Sequence, residues 1–305
     1  MKRLLDRARV LASVRRFFDA RGFVEVQTPA MVPSPGLDLH LDAFEVARGS
    51  EDGLERWLIT SPEYQMKRLL GDGWERIYQV VPCFRRGEHG ERHNPEFTML
   101  EWYRAHAGID DVMRDTEQLV SAVTGGSVQL GDRVIDVKPP LERLSVCEAF
   151  ARFAGWSRER TLEAAASDEE SYHRVLVDAV EPALERADRG IFLVDYPAQQ
   201  ASLARTKASD PQVAERFELY VAGVELCNGF GELVDPIEQR VRLERDRTRR
   251  RARGLPEHPI DEKFLEALAR VPPSGGNALG VDRLTALACG TTGIRDVIAF
   301  VSDEL

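Results

Sequence analysis

Between residues 96 and 104 the chain alternates with period two, and the alternation places charge where strand packing alone would favour apolar side chains. Phe97, Met99, Glu101 and Tyr103 fall on one face, with Thr98, Leu100 and Trp102 on the other. The second face reads as core and the first as a site. Residues 77–84 read as the partner strand, so 85–95 becomes a long polar connection carrying Arg85, Arg86, His89, Arg92 and His93. Such a loop suits a polyanion. Arg85 follows an apolar strand and shares a face with Cys83 and Val81, where guanidinium-to-phosphate hydrogen bonds are each worth roughly 1.5–3 kcal/mol.

Hydrophobic spacing and capping residues predict the surrounding frame. Leu4, Ala8, Leu11, Val14 and Phe18 recur at helical intervals and Gly22 supplies a stop, which predicts an amphipathic helix over 3–21. A strand over 23–27 follows. Ser61-Pro62-Glu63 opens a helix through Leu70, with an N-cap residue, proline at the first helical position and an acid beside the positive end. Further helices are predicted over 109–123, from the Ser145 to Glu148 capping box to Phe153, over 168–187, 236–253, 261–269 and 282–288. Residues 128–137 read as a hairpin about Gly131-Asp132, 191–196 as a buried strand, 275–280 as a glycine-rich turn and 297–301 as a strand. Strands and helices follow in mixed order, which predicts an α+β fold.

The 305 residues can bury one large core or two small ones, and the formal charge of −10 argues against bulk nucleic-acid binding. Any anion site must be local. Cys83, Cys147, Cys227 and Cys289 are far apart, with no CxxC or Cys/His pairing at zinc spacing, which predicts structural thiols in a reduced, cytoplasmic protein. Met1-Lys-Arg leads into an amphipathic segment rather than an apolar signal core, and no apolar run approaches the roughly 20 residues of a membrane span.

Residues 217–233 read as a hairpin turning at Ala222-Gly223, in which Tyr220 faces Glu225 and Glu218 lies one diagonal step away on the same face. Cross-strand diagonals are roughly 7–8 Å at Cα, so the two carboxylates can share a cation, or else form a solvated hairpin face. Glu63 and Glu232 are further acids suited to amines, although Glu63 also fits a plain helix-dipole partner. No GxxxxGK[ST] P-loop occurs, and His89 with His93 lacks a third metal ligand. The arginine-rich stretch 236–253 reads as a solvated face with pairs such as Glu238 with Arg242 and Asp246 with Arg250, or as a docking surface for an acidic macromolecule.

The stretch FRRGEHGERHNPEFTMLEWY resembles motif 2 of the class II aminoacyl-tRNA synthetases, GNALGVDRL resembles motif 3 and RGFVEVQTPAM resembles motif 1, in that order across nearly the whole chain. With TSPEYQMKRLL and GVELCNGFGEL the chain is similar to the lysyl-tRNA synthetase branch, and within it to truncated paralogues that attach (R)-β-lysine to elongation factor P. The resemblance implies the class II catalytic fold, an antiparallel sheet flanked by helices, in a single domain over 1–305 with a less family-like insertion at 125–190. It implies ATP and Mg²⁺, and a catalytic pair in Arg85, the α-phosphate ligand, and Arg283. Phe97 and Arg283 become the walls of the adenine slot. Arg86, Gly87, Glu88, His93, Asn94, Glu225, Leu226 and Gly280 would lie by ATP, and Glu218 and Glu225 would hold the metal. Ser61, Pro62, Glu63, Glu101, Tyr103, Asn228, Glu232 and Ala278 would surround the amino acid.

The implied reaction activates (R)-β-lysine or lysine as an adenylate and passes it to a lysine ε-amine of elongation factor P. Three departures bear on this. The family often has Glu two residues after the motif 2 arginine, whereas this chain has Gly87 and then Glu88, so a one-residue loop shift lets Glu88 substitute. Ala278 stands where true synthetases tend to have glycine, and one methyl at a pocket wall changes specificity by around 1–3 kcal/mol. Lysyl-tRNA synthetases place an anticodon-binding barrel before the first catalytic helix, where this sequence begins, so tRNA is not the expected acceptor. Motif 1 packs a dimer interface in class II enzymes, which implies a homodimer. A minimal lysyl-tRNA synthetase-like enzyme and a catalytically idle lysine-binding paralogue remain open, and retention of Arg85, Glu218, Glu225 and Arg283 favours catalysis.

Overall fold

A computed structural model describes residues 3–39, 41–46, 55–201 and 203–305 of the chain. Its first part runs α1 (Leu4–Asp19), β1 (Val24–Glu25), β2 (Met31–Val32), β3 (Trp57–Leu58), α2 (Glu63–Gly71), β4 (Arg76–Phe84), β5 (Glu96–Ala105), α3 (Ile109–Thr124), β6 (Ser127–Leu130) and β7 (Arg133–Asp136). Next come β8 (Glu142–Ser145), α4 (Val146–Ala154), α5 (Arg158–Ser167), α6 (Glu169–Val175), α7 (Glu181–Glu185) and β9 (Ile191–Pro197). The chain then forms β10 (Thr206–Lys207), β11 (Asp210–Val221), β12 (Val224–Gly231), α8 (Pro236–Ala252), α9 (Glu262–Leu268), β13 (Ser274–Gly280) and α10 (Val281–Ala288).

A nine-stranded sheet orders β1-β4-β5-β13-β12-β11-β9-β8, with β10 alongside β11. Among the described residues only β1 on β4 and β8 on β9 are parallel, so the interior of the sheet is antiparallel and the fold is α+β. The alternation of β5 divides the two faces of this sheet. Leu100 and Trp102 are buried with Tyr78 against α1, whose Phe18 stacks on Tyr78 at 4.6 Å between ring centres and lies 5.4 Å from Trp102. Met99, Glu101 and Tyr103 point to the opposite face, where the site forms.

Local chemistry sets the element ends. Gly22 takes φ +71° after α1, and Ser61 Oγ accepts from Glu63 N at 3.1 Å to start α2. Asp235 Oδ1 accepts from Ile237 N at 2.8 Å at the head of α8. Ala222 and Gly223 both have positive φ, the turn that joins two twisted strands, and they close the hairpin of β11 and β12.

Several expected elements differ. Residues 275–280 are not a turn but β13, an extended strand between β5 and β12. Glycine is needed there for space: a Cβ on Gly275 would sit 2.7 Å from Val112 Cγ2, and one on Gly276 would sit 2.3 Å from Tyr103 Cε1. Residues 297–301 form no strand; Val297 is buried from a turn and Val301 from irregular chain rather than from a ladder. The strand expected over 23–27 shortens to β1, and 168–187 is broken into α6, a π-turn at Leu176–Val180 and α7. On α8 the pair Glu238 with Arg242 forms, but Asp246 meets Arg245 instead of Arg250. Arg250 is 1% exposed and donates to Asp38 O and Leu41 O, because burial rewards a guanidinium that can satisfy several carbonyls at once. Arg240, Arg249, Arg251 and Arg253 are likewise spent on Glu262, Glu169, Glu257 and Glu169, which supports the self-neutralised face over the docking surface. Among the described residues no helix is long and apolar enough to cross a membrane.

Candidate active site

Antiparallel register gathers the site into two adjacent rows running across five strands. One row reads Gln79, Glu101, Ala278, Asn228, Glu218, and the next reads Ile77, Tyr103, Gly276, Phe230, Arg216. At about 4.8 Å per strand step, Glu101 and Glu218 lie roughly 14 Å apart along one face. A cavity of about 510 Å³ opens over this face, within the usual range for small-molecule sites.

At one end the loop after β4 supplies cations and an aromatic ring. Arg85 lines the cavity with its Cζ 4.9 Å from the centre of the Phe97 ring, and Glu88 Oε1 lies 3.4 Å from its Nη1. Gly87 adopts φ +84°, and that bend turns Glu88 into the cavity. Arg86 instead pairs with Asp42, and neither Arg86 nor Gly87 is among the cavity-lining residues. Asn94 lines the cavity while its amide is engaged, Nδ2 donating to Glu96 O at 2.7 Å and Oδ1 accepting from Ser302 N at 2.9 Å.

Arg283, in the first turn of α10, donates from Nη1 to Glu225 O at 2.8 Å and from Nη2 to His93 Nε2 at 2.7 Å. That contact needs an unprotonated ring nitrogen, and burial together with the Arg283 charge lowers the His93 pKa accordingly. The turn is held by Asp282, which accepts from Thr98 N at 2.9 Å and Arg7 Nη1 at 2.5 Å. Gly280, Leu226, Ala278 and Asn228 also line the cavity.

The acidic hairpin follows the expected register where Tyr220 pairs with Glu225, but a bulge after Leu219 then shifts the ladder so that Glu218 pairs with Asn228. By simple alternation from Glu225, Asn228 would face the core. The bulge brings Asn228 to the site face. Glu218 accepts from Tyr196 OH at 2.6 Å, Tyr220 OH at 2.8 Å and Arg216 Nη2 at 2.6 Å. Glu225 is less engaged: burial and then the Glu218 charge raise its pKa, and its side chain is 40% exposed with Arg283 Nη1 3.6 Å from Oε2. Two hard oxygen donors held close against their repulsion fit a divalent cation. Among the described residues no third acid, histidine or cysteine joins them, so the remaining ligands of such an ion would come from a bound phosphate or water.

At the other end lies an acidic recess. Ser61 and Glu63 line the cavity, whereas Glu101, Tyr103, Glu232 and Pro62 are not among its lining residues and sit behind them. Ser61 Oγ donates to Glu101 Oε2 at 2.7 Å and Tyr103 OH donates to Glu101 Oε1 at 2.6 Å. Burial and then the Glu63 charge push the Glu101 carboxyl up to about 8, and burial pushes Glu232 up to about 7. The direct cationic contact of Glu63 and Glu232 is Lys67, whose Nζ lies 2.5 Å from Glu63 Oε1 and 2.6 Å from Glu232 Oε2. Among the described residues Glu232 Oε1 has no hydrogen-bond partner. Once ionised, Glu63, Glu101 and Glu232 set three carboxylates against the one ammonium of Lys67, and buried charge demands pairing.

Sequence reasoning assigned no role to Lys67, Arg216 or Gly276. Lys67 was findable from its i+4 spacing to Glu63 on α2, and Arg216 from its i−2 position to Glu218 on one strand face. Gly276 carries no such signal, because what matters is the Tyr103 ring lying across it.

A family model described as tRNA synthetases class II (D, K and N) matches residues 1–304. The elongation factor P–(R)-β-lysine ligase of Enterobacter sp. (strain 638) is 43% identical over 317 residues, covering 99% of this chain and 95% of the relative. The protein of the same name from Proteus mirabilis (strain HI4320) is 44% identical over 318 residues, covering 97% and 94% respectively. That from Salmonella paratyphi B (strain ATCC BAA-1250 / SPB7) is 42% identical over 322 residues, covering 99% and 95%.

Proposed function

Because the chain belongs to the class II tRNA synthetases of the D, K and N type, we propose that it activates (R)-β-lysine or lysine with ATP and transfers the acyl group to a lysine ε-amine of elongation factor P. The observation that carries this reading is the recess of Glu63, Glu101 and Glu232 with Lys67 as its buried cation, which calls for an ammonium-bearing ligand. A cationic amino acid held there directs its carboxylate along β4 and β5, toward Arg85 and Phe97.

In this reading ATP takes the opposite end. The Phe97 ring and the Arg283 guanidinium offer flat surfaces for a base, and Arg85 faces the α-phosphate. A carboxylate oxygen attacks the α-phosphorus, a phosphorus–oxygen bond forms and pyrophosphate departs with the electron pair of the bond it leaves. Arg85 is already in place, fixed near Phe97 and Thr60 O, so it stabilises the growing negative charge with little reorganisation. Glu218 and Glu225 would hold Mg²⁺, which when bound polarises phosphate oxygens. The acceptor amine, arriving neutral, then attacks the acyl carbon and expels AMP. Most of the rate gain comes from holding two charged substrates in line on a rigid sheet. A cytoplasmic homodimer belongs to the same proposal.

Pyrophosphate exchange into ATP, run separately with lysine and (R)-β-lysine, tests the first step. Transfer from each adenylate to elongation factor P and to tRNA tests the second. Exchange with either amino acid and transfer to elongation factor P are expected. Absence of exchange with both overturns the activity, and transfer to tRNA alone overturns the acceptor.

A further inference from the structure

We propose that Lys67 is a positioning residue that clamps Glu63 to Glu232 and thereby sets the carboxylate geometry receiving the substrate's ammonium; this rests on the activity proposed above. An i,i+4 Glu–Lys pair on a helix is ordinarily a solvated contact of small consequence. This one differs. The Lys67 side chain is 1% exposed, and its ammonium is shared with Glu232, a residue after β12 and far from α2 in sequence. Lysine is almost never fully buried unless paired, so the position selects for the charge itself.

Every charged or titratable group facing the ammonium bears on its role. Glu63 reaches it from α2, Glu232 from the end of β12, and Glu101 with Tyr103 from β5, while Arg205 acts on Glu232 from beyond β9. Burial opposes the Lys67 charge, yet Glu232 and Glu63 together hold its pKa above the usual lysine value, so it stays charged throughout the working range. Glu63 extends from the clamp into the cavity, and Glu232 lies behind it with Oε1 lacking a hydrogen-bond partner among the described residues. Without the ammonium these carboxylates would repel one another and take up protons, and a protonated acid no longer attracts the substrate amine as an ion. A group acting this way changes amino-acid binding and its pH dependence while leaving the nucleotide end alone.

Lys67→Met removes the charge at similar length, and Lys67→Gln keeps a hydrogen-bond donor where the methionine variant fails to fold. Both are assayed by pyrophosphate exchange beside the wild type at pH 7 and pH 9, with thermal melts to establish folding. The expected result is an amino-acid KM raised about tenfold or more at pH 7, an ATP KM within about twofold, and a smaller variant-to-wild-type ratio at pH 9, where the carboxylates ionise unaided. Equal effects on both KM values, a pH-independent ratio, or failure of both variants to fold would make Lys67 a structural tie and overturn the proposal. Absence of exchange in the wild type would instead overturn the activity on which it rests.

Discussion

Replacing Glu101 with glutamine separates the charge of the recess from its shape. The carboxyl is 1% exposed, accepts from Ser61 and Tyr103, and is pushed up to about 8, so near pH 7 it is mostly protonated in the free protein. The Glu101 carboxylate, behind Ser61 and Glu63, favours an ammonium in the recess by its charge, so binding there drives off a proton. With that pKa, amino-acid affinity gains about fivefold between pH 7 and pH 8 and then levels off. The ionised form is worth roughly 1.5–3 kcal/mol to a charged hydrogen-bond partner, or about 10- to 150-fold in affinity at pH 9. Ionising it at pH 7 takes back about 1.4 kcal/mol, so the loss in Glu101→Gln shrinks by roughly tenfold there. Glu232, pushed up to about 7, adds its slope below that pH, which makes the interval above pH 7 diagnostic. Isothermal calorimetry in buffers of differing ionisation enthalpy reads both affinity and proton release. The wild type should release most of one proton at pH 7 and the variant much less. Stability runs the opposite way. Glu101 has a folded-state pKa raised above the ordinary 4.5, so the folded chain holds a proton that the unfolded chain gives up, and stability falls as pH rises from about 4.5 to about 8. Glu101→Gln should flatten that decline. Equal proton release and equal pH slopes in the two proteins would refute the reasoning.

Gly276→Ala places a methyl 2.3 Å from the Tyr103 ring and 2.5 Å from Glu232 Oε1, an overpacking worth about 1–3 kcal/mol. Its amino-acid KM should rise about tenfold or more while the ATP KM stays within about twofold in exchange assays. Glu225→Gln removes a charge from the paired hairpin acids and should raise the Mg²⁺ concentration for half-maximal exchange by about tenfold or more, checked by metal titration. Phe18→Ala empties the stack on Tyr78 on the sheet face away from the cavity, and should lower urea-unfolding stability by about 3–5 kcal/mol with both KM values of the folded protein unchanged.

Much of this was legible in the chain because period-two alternation is a direct readout of which face a side chain takes. Glu101 and Tyr103 on one face of β5 with Leu100 and Trp102 on the other needed no tertiary information. Capping chemistry placed α2, α4, α8 and α9 for the same reason: Ser61, Ser145, Asp235 and Asp261 act on residues two or three positions away. Failures came where a distant partner decides. The glycines of β13 resemble turn residues until the Tyr103 ring and Val112 are seen to occupy the space of their side chains. The bulge after Leu219 shifts the hairpin register so that Glu218 meets Asn228, and its placement depends on the strands packed around it. Arg250 abandons its helical neighbour Asp246 for carbonyls brought near by folding. Lys67 was visible as a spacing but not as a clamp, since Glu232 enters from a strand that sequence distance hides.

Arg85→Ala in pyrophosphate exchange, at saturating ATP and amino acid, addresses the proposed adenylation site most directly. Arg85 lines the cavity beside Phe97 at the end opposite the amine recess, and removal of one preorganised donor of this kind lowers rates by about 10²–10³. Exchange reduced by at least that factor, in a protein that melts like the wild type, is the expected result. Near-normal exchange would show that Arg85 does not stabilise the transition state at the α-phosphate.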